Sequence, residues 1–269
     1  MLRPGGFLVT VSGGAELEGS SRDLGQPGWV ESIAAVPTVE AREVASGVWC
    51  WERRPRGLRP DEFGGRTSYA VSLDSDLLLV DPLVQGDEDP ALEMLDELVR
   101  DRVRILVTMP YHTRSSELLW RRYRSAKARI YGHPAVRTRL EDTSGFEAVV
   151  GGTALAGLVR FHSLGQPPRS QQPIELPAVR ALAFGDAIIE TGGELRVWAA
   201  LPEGGRRRQW WQEHYLPSLE RLTNLDIEHV LVTHGQPAIG DGKAELRRAV
   251  QRPPWQRPKR IARSGPRPR

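Results

Sequence analysis

Three short segments place chemically capable side chains at the ends of apolar runs. In the first, the run Val103 to Val107 stops at Thr108, and the polar loop Met109-Pro110-Tyr111-His112-Thr113-Arg114-Ser115-Ser116 follows. In the second, Phe184-Gly185-Asp186-Ala187 leaves another apolar stretch. In the third, Val230-Leu231-Val232-Thr233 runs into His234-Gly235. Loops that leave the carboxyl ends of strands are where α/β proteins commonly place ligands. Each residue also has a plainer role. His112 suits a polar loop, Asp186 suits a turn, and His234 suits a strand end bonded to backbone. Other chemistries are missing: no G-x-G-x-x-G follows a strand, and there is no phosphate-binding G-x-x-x-x-G-K and no G-x-S-x-G elbow.

The elements that must position these segments alternate between strand and helix. Val44 to Trp51 reads as a strand broken at Gly47, followed by an Arg-, Pro- and Gly-rich loop, Arg53 to Gly65. Thr67 to Leu73 and Leu77 to Val80 form a strand pair turned at Asp74-Ser75. The second of these is continuously apolar, as a strand buried on both faces must be, and Asp81-Pro82 ends it as a turn or cap. Asp89-Pro90 opens a helix carrying Leu92, Leu95, Leu98 and Val99 at helical spacing. The strand Val103–Val107 completes a βαβ unit, and a helix with Leu118, Leu119 and Tyr123 comes after the loop. Ala128 to Tyr131 is a strand and Pro134 to Leu140 a short helix. Leu158–His162, Ile174–Leu176, Val179–Phe184 and Glu194–Ala199 read as further strands. Trp211, Tyr215, Leu219 and Leu222 share one helix face, which Pro217 should kink or split. A last helix spans about Lys243 to Val250.

The order of these segments resembles the metallo-beta-lactamase fold, from about Val44 to Val250. Four points carry the likeness: the Leu77–Pro82 strand end, the loop holding His112, Gly185-Asp186, and the strand ending in His234. The resemblance implies a four-layer αββα sandwich of the α/β (α+β) class; periodicity alone gives only mixed α/β. It also implies a pocket lined by Pro110, Tyr111, His112, Arg114, Ser115, Gln166, Asp186 and His234. In the family's H-x-H-x-D-H motif, His112 takes the second His. Pro110 then stands at the first His, Arg114 at the Asp and Ser115 at the last His, while Gln166 stands at the His of a later Gly-His element.

Of the ligands the resemblance implies, His112, Asp186 and His234 survive. Three are too few for a pair of ions about 3.5–4 Å apart, and the family's counterparts of His112 and His234 serve different ions. Arg114 replaces an acid by a permanent cation. At 4 Å it would oppose a divalent ion by about 8 kcal/mol at an effective dielectric near 20. Arg114 is therefore expected to take the metal's place and pair with Asp186. His133, His162, His214 and His229 are expected to be structural or surface residues. The Arg and aromatic mixtures at Trp120–Arg124 and Arg206–Trp211 are expected to be helices with an Arg face.

Residues 38–251 are expected to form the single domain of this 269-residue chain. Residues 1–37 read as a disordered leader and 252–269 as a disordered basic tail rich in Pro and Arg. Seven basic residues and no acid lie from Arg252 onward. They outweigh the whole net charge of +3 and leave the rest of the chain net acidic. One cysteine, Cys50, rules out an internal disulfide and fits a cytoplasmic setting. No apolar run is long enough to span a membrane. The leading expectation is a non-hydrolytic binding or regulatory pseudoenzyme with a small-molecule ligand and no cofactor. One alternative is a metal-dependent hydrolase of an ester, thioester or lactone, using one zinc or iron ion. Another is a nucleic-acid-binding or processing protein, acting through the tail.

Overall fold

In the computed structural model, residues 39–54, 65–164, 170–198 and 205–256 are described. All of them belong to one compact unit. The expected leader, Gln166 and residues 257–269 lie outside these ranges.

The first half builds a seven-stranded sheet in chain order: β1 (Val39–Ala45), β2 (Val48–Arg53), β3 (Arg66–Ser72), β4 (Asp76–Val80), β5 (Arg102–Val107), β6 (Arg129–Gly132) and β7 (Phe146–Ala148). β1 to β4 pair antiparallel, and β4 to β7 pair parallel. The strand expected from Val44 to Trp51 is two strands. Gly47 does not merely interrupt it: at φ +71° it turns the chain back on itself, in a region that favours glycine. Helix α1 (Ala91–Leu98) connects β4 to β5, and α2 (Ser116–Arg122) connects β5 to β6. Asp89 supports the start of α1 as expected, because its Oδ1 accepts the Ala91 N–H at 2.9 Å.

The second half contains β8 (Ala154–Leu155), β9 (Val159–Phe161), β10 (Ile174–Leu176), β11 (Ala181–Phe184), a separate hairpin of β12 (Ile188–Thr191) and β13 (Glu194–Val197), and β14 (His229–Val232). The second sheet runs β14-β11-β10-β9-β8, with β14 parallel to β11. Helices α3 (Arg206–Trp210) and α4 (Leu216–Leu222) flank one π-helical turn at Trp211–Tyr215, and α5 (Gly242–Gln251) follows β14. Pro217 lies in the first turn of α4, directly after the π turn. The helical run continues through it from Arg206 to Leu222 and does not split there.

Three apolar layers hold four structural layers together. Leu77 and Leu79 of β4 pack outward against α1 and α2, with Leu92, Leu95 and Leu119. Leu78 and Val80 point inward and meet Phe161, Ile174 and Leu231 of the second sheet. Leu182, Phe184, Val230 and Val232 pack on the outer helices through Tyr215, Leu219 and Leu246. The continuous apolar run of β4 is thus a strand covered on both faces. The result is the expected αββα sandwich, and the three candidate segments all leave strand ends within it.

Residues 252–255 are tied to the β12–β13 hairpin. Arg252 pairs with Glu194, Arg196 Nη2 donates to Pro253 O at 2.9 Å, and Trp255 N–H donates to Val197 O at 2.8 Å. No helix among the described residues is long and apolar enough to cross a membrane.

Candidate metal centre

Asp81 is the hub. It follows β4 with φ +45°, a left-handed conformation that Asp tolerates better than most residues. Its carboxylate is buried at the ends of three strands. Oδ1 accepts the Thr108 N–H at 2.8 Å. Oδ2 accepts Thr108 Oγ1 at 2.5 Å, Thr233 Oγ1 at 3.1 Å and His112 Nδ1 at 2.8 Å. Sequence alone makes Asp81 a turn or capping residue. A carboxylate at the end of a fully apolar strand is the signal that could have found it, because such a group needs partners.

His112 closes a 3-10 turn, Pro110–His112, begun by a proline, and its N–H donates to Met109 O at 2.9 Å. With Nδ1 on Asp81, Nε2 faces Asp186 Oδ1 at 3.2 Å. His234 leaves β14 and brings its Nε2 to the same oxygen at 3.0 Å. Both imidazoles therefore converge on one carboxylate oxygen. The side chains of His112, His234 and Asp186 are 8%, 5% and 18% exposed. One ligand atom from each of the three lies within 4.8 Å of the others. The three residues that the resemblance implies as surviving ligands, His112, Asp186 and His234, thus lie together.

Two glycines make it possible. A Cβ on Gly185 would meet Thr108 Oγ1 at 2.6 Å and His112 Cε1 at 3.4 Å, so only glycine lets Asp186 come this close. Gly235 has φ +89°, and its Cβ would sit 2.7 Å from Glu190 O, the backbone of the β12–β13 hairpin. Glu190 N–H donates to His234 O at 2.8 Å. Trp198 meets the His234 ring edge-on, with centroids 5.8 Å apart.

The electrostatics follow from this geometry. Burial alone would raise the Asp186 carboxyl, but hydrogen bonds from His112 and His234 outweigh it and hold it far below the usual carboxylate range. Asp81 is likewise lowered against burial, by the charge and hydrogen bond of His112. For His112, burial and the Arg114 charge act downward, yet Asp81 and Asp186 together raise it. Both ring nitrogens of His112 face carboxylate oxygens, an arrangement that favours its protonated form. His234 is pushed down to about 4, because burial exceeds the help from Asp186.

The remaining expected pocket residues divide. Ser115 is buried and spends its hydroxyl on Val84, donating to O at 3.1 Å and accepting from N–H at 2.9 Å. It ties the start of α2 to the loop after β4. Pro110 is buried in the turn, while Tyr111 is 53% exposed beneath the Arg139 guanidinium, 4.4 Å from the ring centroid. Arg114 does not pair with Asp186 as expected; no ion pair joins them within 4.0 Å among the described residues. Its Nη1 donates instead to Asp81 O at 2.8 Å. The motif placed Arg114 beside the cluster, but its left-handed backbone, φ +41°, and this carbonyl direct the guanidinium elsewhere.

The other histidines take structural positions. His133 accepts the Ala135 N–H at 3.1 Å, His162 bonds Glu175 at 2.9 Å, His229 accepts the Gly240 N–H at 3.0 Å, and His214 is exposed. Trp120 is buried on α2, and Arg124, in the 3-10 turn that follows that helix, stacks on its ring at 4.4 Å.

Among the described residues, the side chains present fit a single ion. Two imidazole nitrogens and a carboxylate oxygen would supply the three protein ligands of an open mononuclear site. Pro110 and Arg114 offer no ligand atom, and the Ser115 hydroxyl is already engaged.

Comparison with solved structures agrees with this architecture. The chain is similar to the DIM-1 metallo-beta-lactamase, at TM-score 0.56 and 14% identity over 81% of this chain and 98% of that one. It is similar to a metallo-beta-lactamase family protein of Thermus thermophilus, at TM-score 0.51 and 17% identity over 77% and 79%. It also matches the metal-soaked flavodiiron core of Flv1 from Synechocystis, at TM-score 0.54 and 17% identity over 80% and 60%. The class is therefore defined by architecture: this chain has the metallo-beta-lactamase fold. No protein-family model and no curated protein matches it in sequence.

Proposed function

We propose that this chain is a metal-dependent hydrolase with a site for a single ion. His112 Nε2, His234 Nε2 and an Asp186 oxygen would hold that ion, zinc or iron. The substrate class is an ester, thioester or lactone. One observation carries the reading: both histidines turn Nε2 to the same Asp186 oxygen, while a buried carboxylate, Asp81, holds the other nitrogen of His112. Metal-ligating histidines characteristically give their second nitrogen to such a partner, which orients the ring and raises its basicity. A bound ion would polarise a carbonyl and lower the pKa of its water. The protein's own part is to orient the rings, to release the His112 proton as the ion arrives, and to keep the cluster largely out of solvent.

A second reading is favoured by charge. Imidazolium His112 and Arg114 balance Asp81 and Asp186 with no ion at all. That arrangement suits a non-hydrolytic pocket, a binding or regulatory pseudoenzyme. The two readings separate in one experiment. The purified chain is loaded with zinc or iron, excess is removed, and bound metal is counted for wild type and Asp186→Asn. About one equivalent in wild type and none in the variant supports the hydrolase. No retained metal in folded wild type removes it in favour of the binding protein.

A further inference from the structure

We propose that Arg114 makes this cluster a receptor for an oxyanion, a carboxylate or phosphate group of the ligand that docks on Nη2. Arg114 stands two residues beyond His112, and its charge acts on His112, Asp81 and Asp186 together. Its Nη1 is engaged with Asp81 O at 2.8 Å. Its Nη2 is buried and has no hydrogen-bond partner among the described residues. No carboxylate lies within ion-pair distance of the guanidinium among those residues. A desolvated, charged donor without an acceptor is costly to keep. An arriving oxyanion removes that cost and gains a charge-assisted bond in a fixed planar geometry.

The surroundings admit a negative group. The carboxylates whose charge reaches Arg114 are Asp81 first and then Asp186, and both are already engaged, Asp81 by Thr108, Thr233 and His112 and Asp186 by His112 and His234. Arg66 adds a second positive charge, felt at both Arg114 and His234. The backbone of Arg114 is held at φ +41°, so its position is imposed by the fold rather than chosen by a free side chain. The substrate classes proposed above all release a carboxylate on hydrolysis. The inference deepens that reading by giving this group, or an anionic group elsewhere on the ligand, a place to dock. The docking itself needs no ion and holds equally for a binding protein.

The test uses the full chain stripped of metal with a chelator that is then removed. Binding of acetate and of inorganic phosphate is measured calorimetrically for wild type, Arg114→Gln and Arg114→Lys, with circular dichroism to verify folding. Wild type is expected to bind at least one probe, and the tighter of the two identifies the oxyanion. Arg114→Gln is expected to weaken that binding by roughly tenfold or more, and Arg114→Lys to keep part of it, since a lysine retains the charge but not the fork. Folded Arg114→Gln that binds as tightly as wild type overturns the proposal, as does wild type that binds neither probe in the millimolar range. If Arg114→Gln does not fold, Arg114→Lys decides: a several-fold loss supports the proposal and unchanged affinity overturns it. Metal content measured on the same preparations before stripping keeps the two readings apart, because anion binding without metal leaves this inference standing while the hydrolase falls.

Discussion

Asp81 and His112 lie 31 positions apart in the chain, yet their side chains meet at 2.8 Å in the interior. That contact selects which face of the imidazole looks toward Asp186. It makes Asp81 a positioning residue for the whole cluster.

Replacing Asp81 with Asn keeps the shape and removes the charge. Its amide cannot accept from Thr108, Thr233 and His112 as the carboxylate does. Chelator competition on metal-loaded protein should show affinity lower by roughly 10- to 100-fold. Chemical denaturation should show a loss of about 1–3 kcal/mol from buried groups left without acceptors. An unchanged metal affinity would remove Asp81 from its positioning role.

Acid should destabilise the metal-free protein in a defined window. His234 falls to about 4 on folding from an ordinary value near 6.5. A histidine lowered by folding stabilises the native state above its unfolded value, and that contribution disappears as pH falls from about 6.5 toward 4. The slope is at most about 1.4 kcal/mol per pH unit for one proton. His112 is raised, so its term has the opposite sign and is lost as pH climbs through its folded value. Denaturation midpoints from pH 4 to 7 should therefore flatten specifically in His234→Gln, and identical profiles would contradict the assignment.

Adding one methyl at Gly185 should separate Asp186 from His112. The new Cβ meets Thr108 Oγ1 at 2.6 Å and Met109 Sδ at 3.3 Å. Overpacking of this kind costs about 1–3 kcal/mol. Gly185→Ala is expected to lower the thermal midpoint and to weaken metal retention together. A variant as stable as wild type would mean the loop has room to shift.

Tyr69 fastens one sheet to the other. Its hydroxyl donates to Val232 O at 2.8 Å and accepts Val232 N–H at 3.1 Å, covering the free edge of β14 just before His234. Tyr69→Phe leaves both backbone groups buried without a partner, at about 1–3 kcal/mol. Hydrogen exchange at Val232 should accelerate; an exchange rate equal to wild type would show that another group takes over.

Much of the scaffold is legible in the sequence because apolar runs leave few choices. β4 and β5 read directly from Leu77–Val80 and Val103–Val107, and the helix after Asp89-Pro90 from its leucine spacing. The β12–β13 hairpin is only half visible: Gly192-Gly193 is a two-residue turn signal, but Ile188–Thr191 is too short beside the Asp186 loop to stand out as a strand. The site is legible as positions and not as partners. His112, Asp186 and His234 each follow from the strand ends they leave. That they share one oxygen depends on the packing of two sheets, which no local pattern encodes. The expectation for Arg114 fails for the same reason, since a motif position fixes the Cα and the rotamer goes to whichever acceptor the fold presents, here a backbone carbonyl.

The last described residues rest on the same machinery. Trp255 pairs with β13 through Val197 and sets its ring 6.4 Å from Trp198, the ring that leans on His234. Truncation before Trp255 would therefore remove a bracket two aromatic rings away from a candidate ligand, so preparations meant for metal analysis need the chain kept through Gln256.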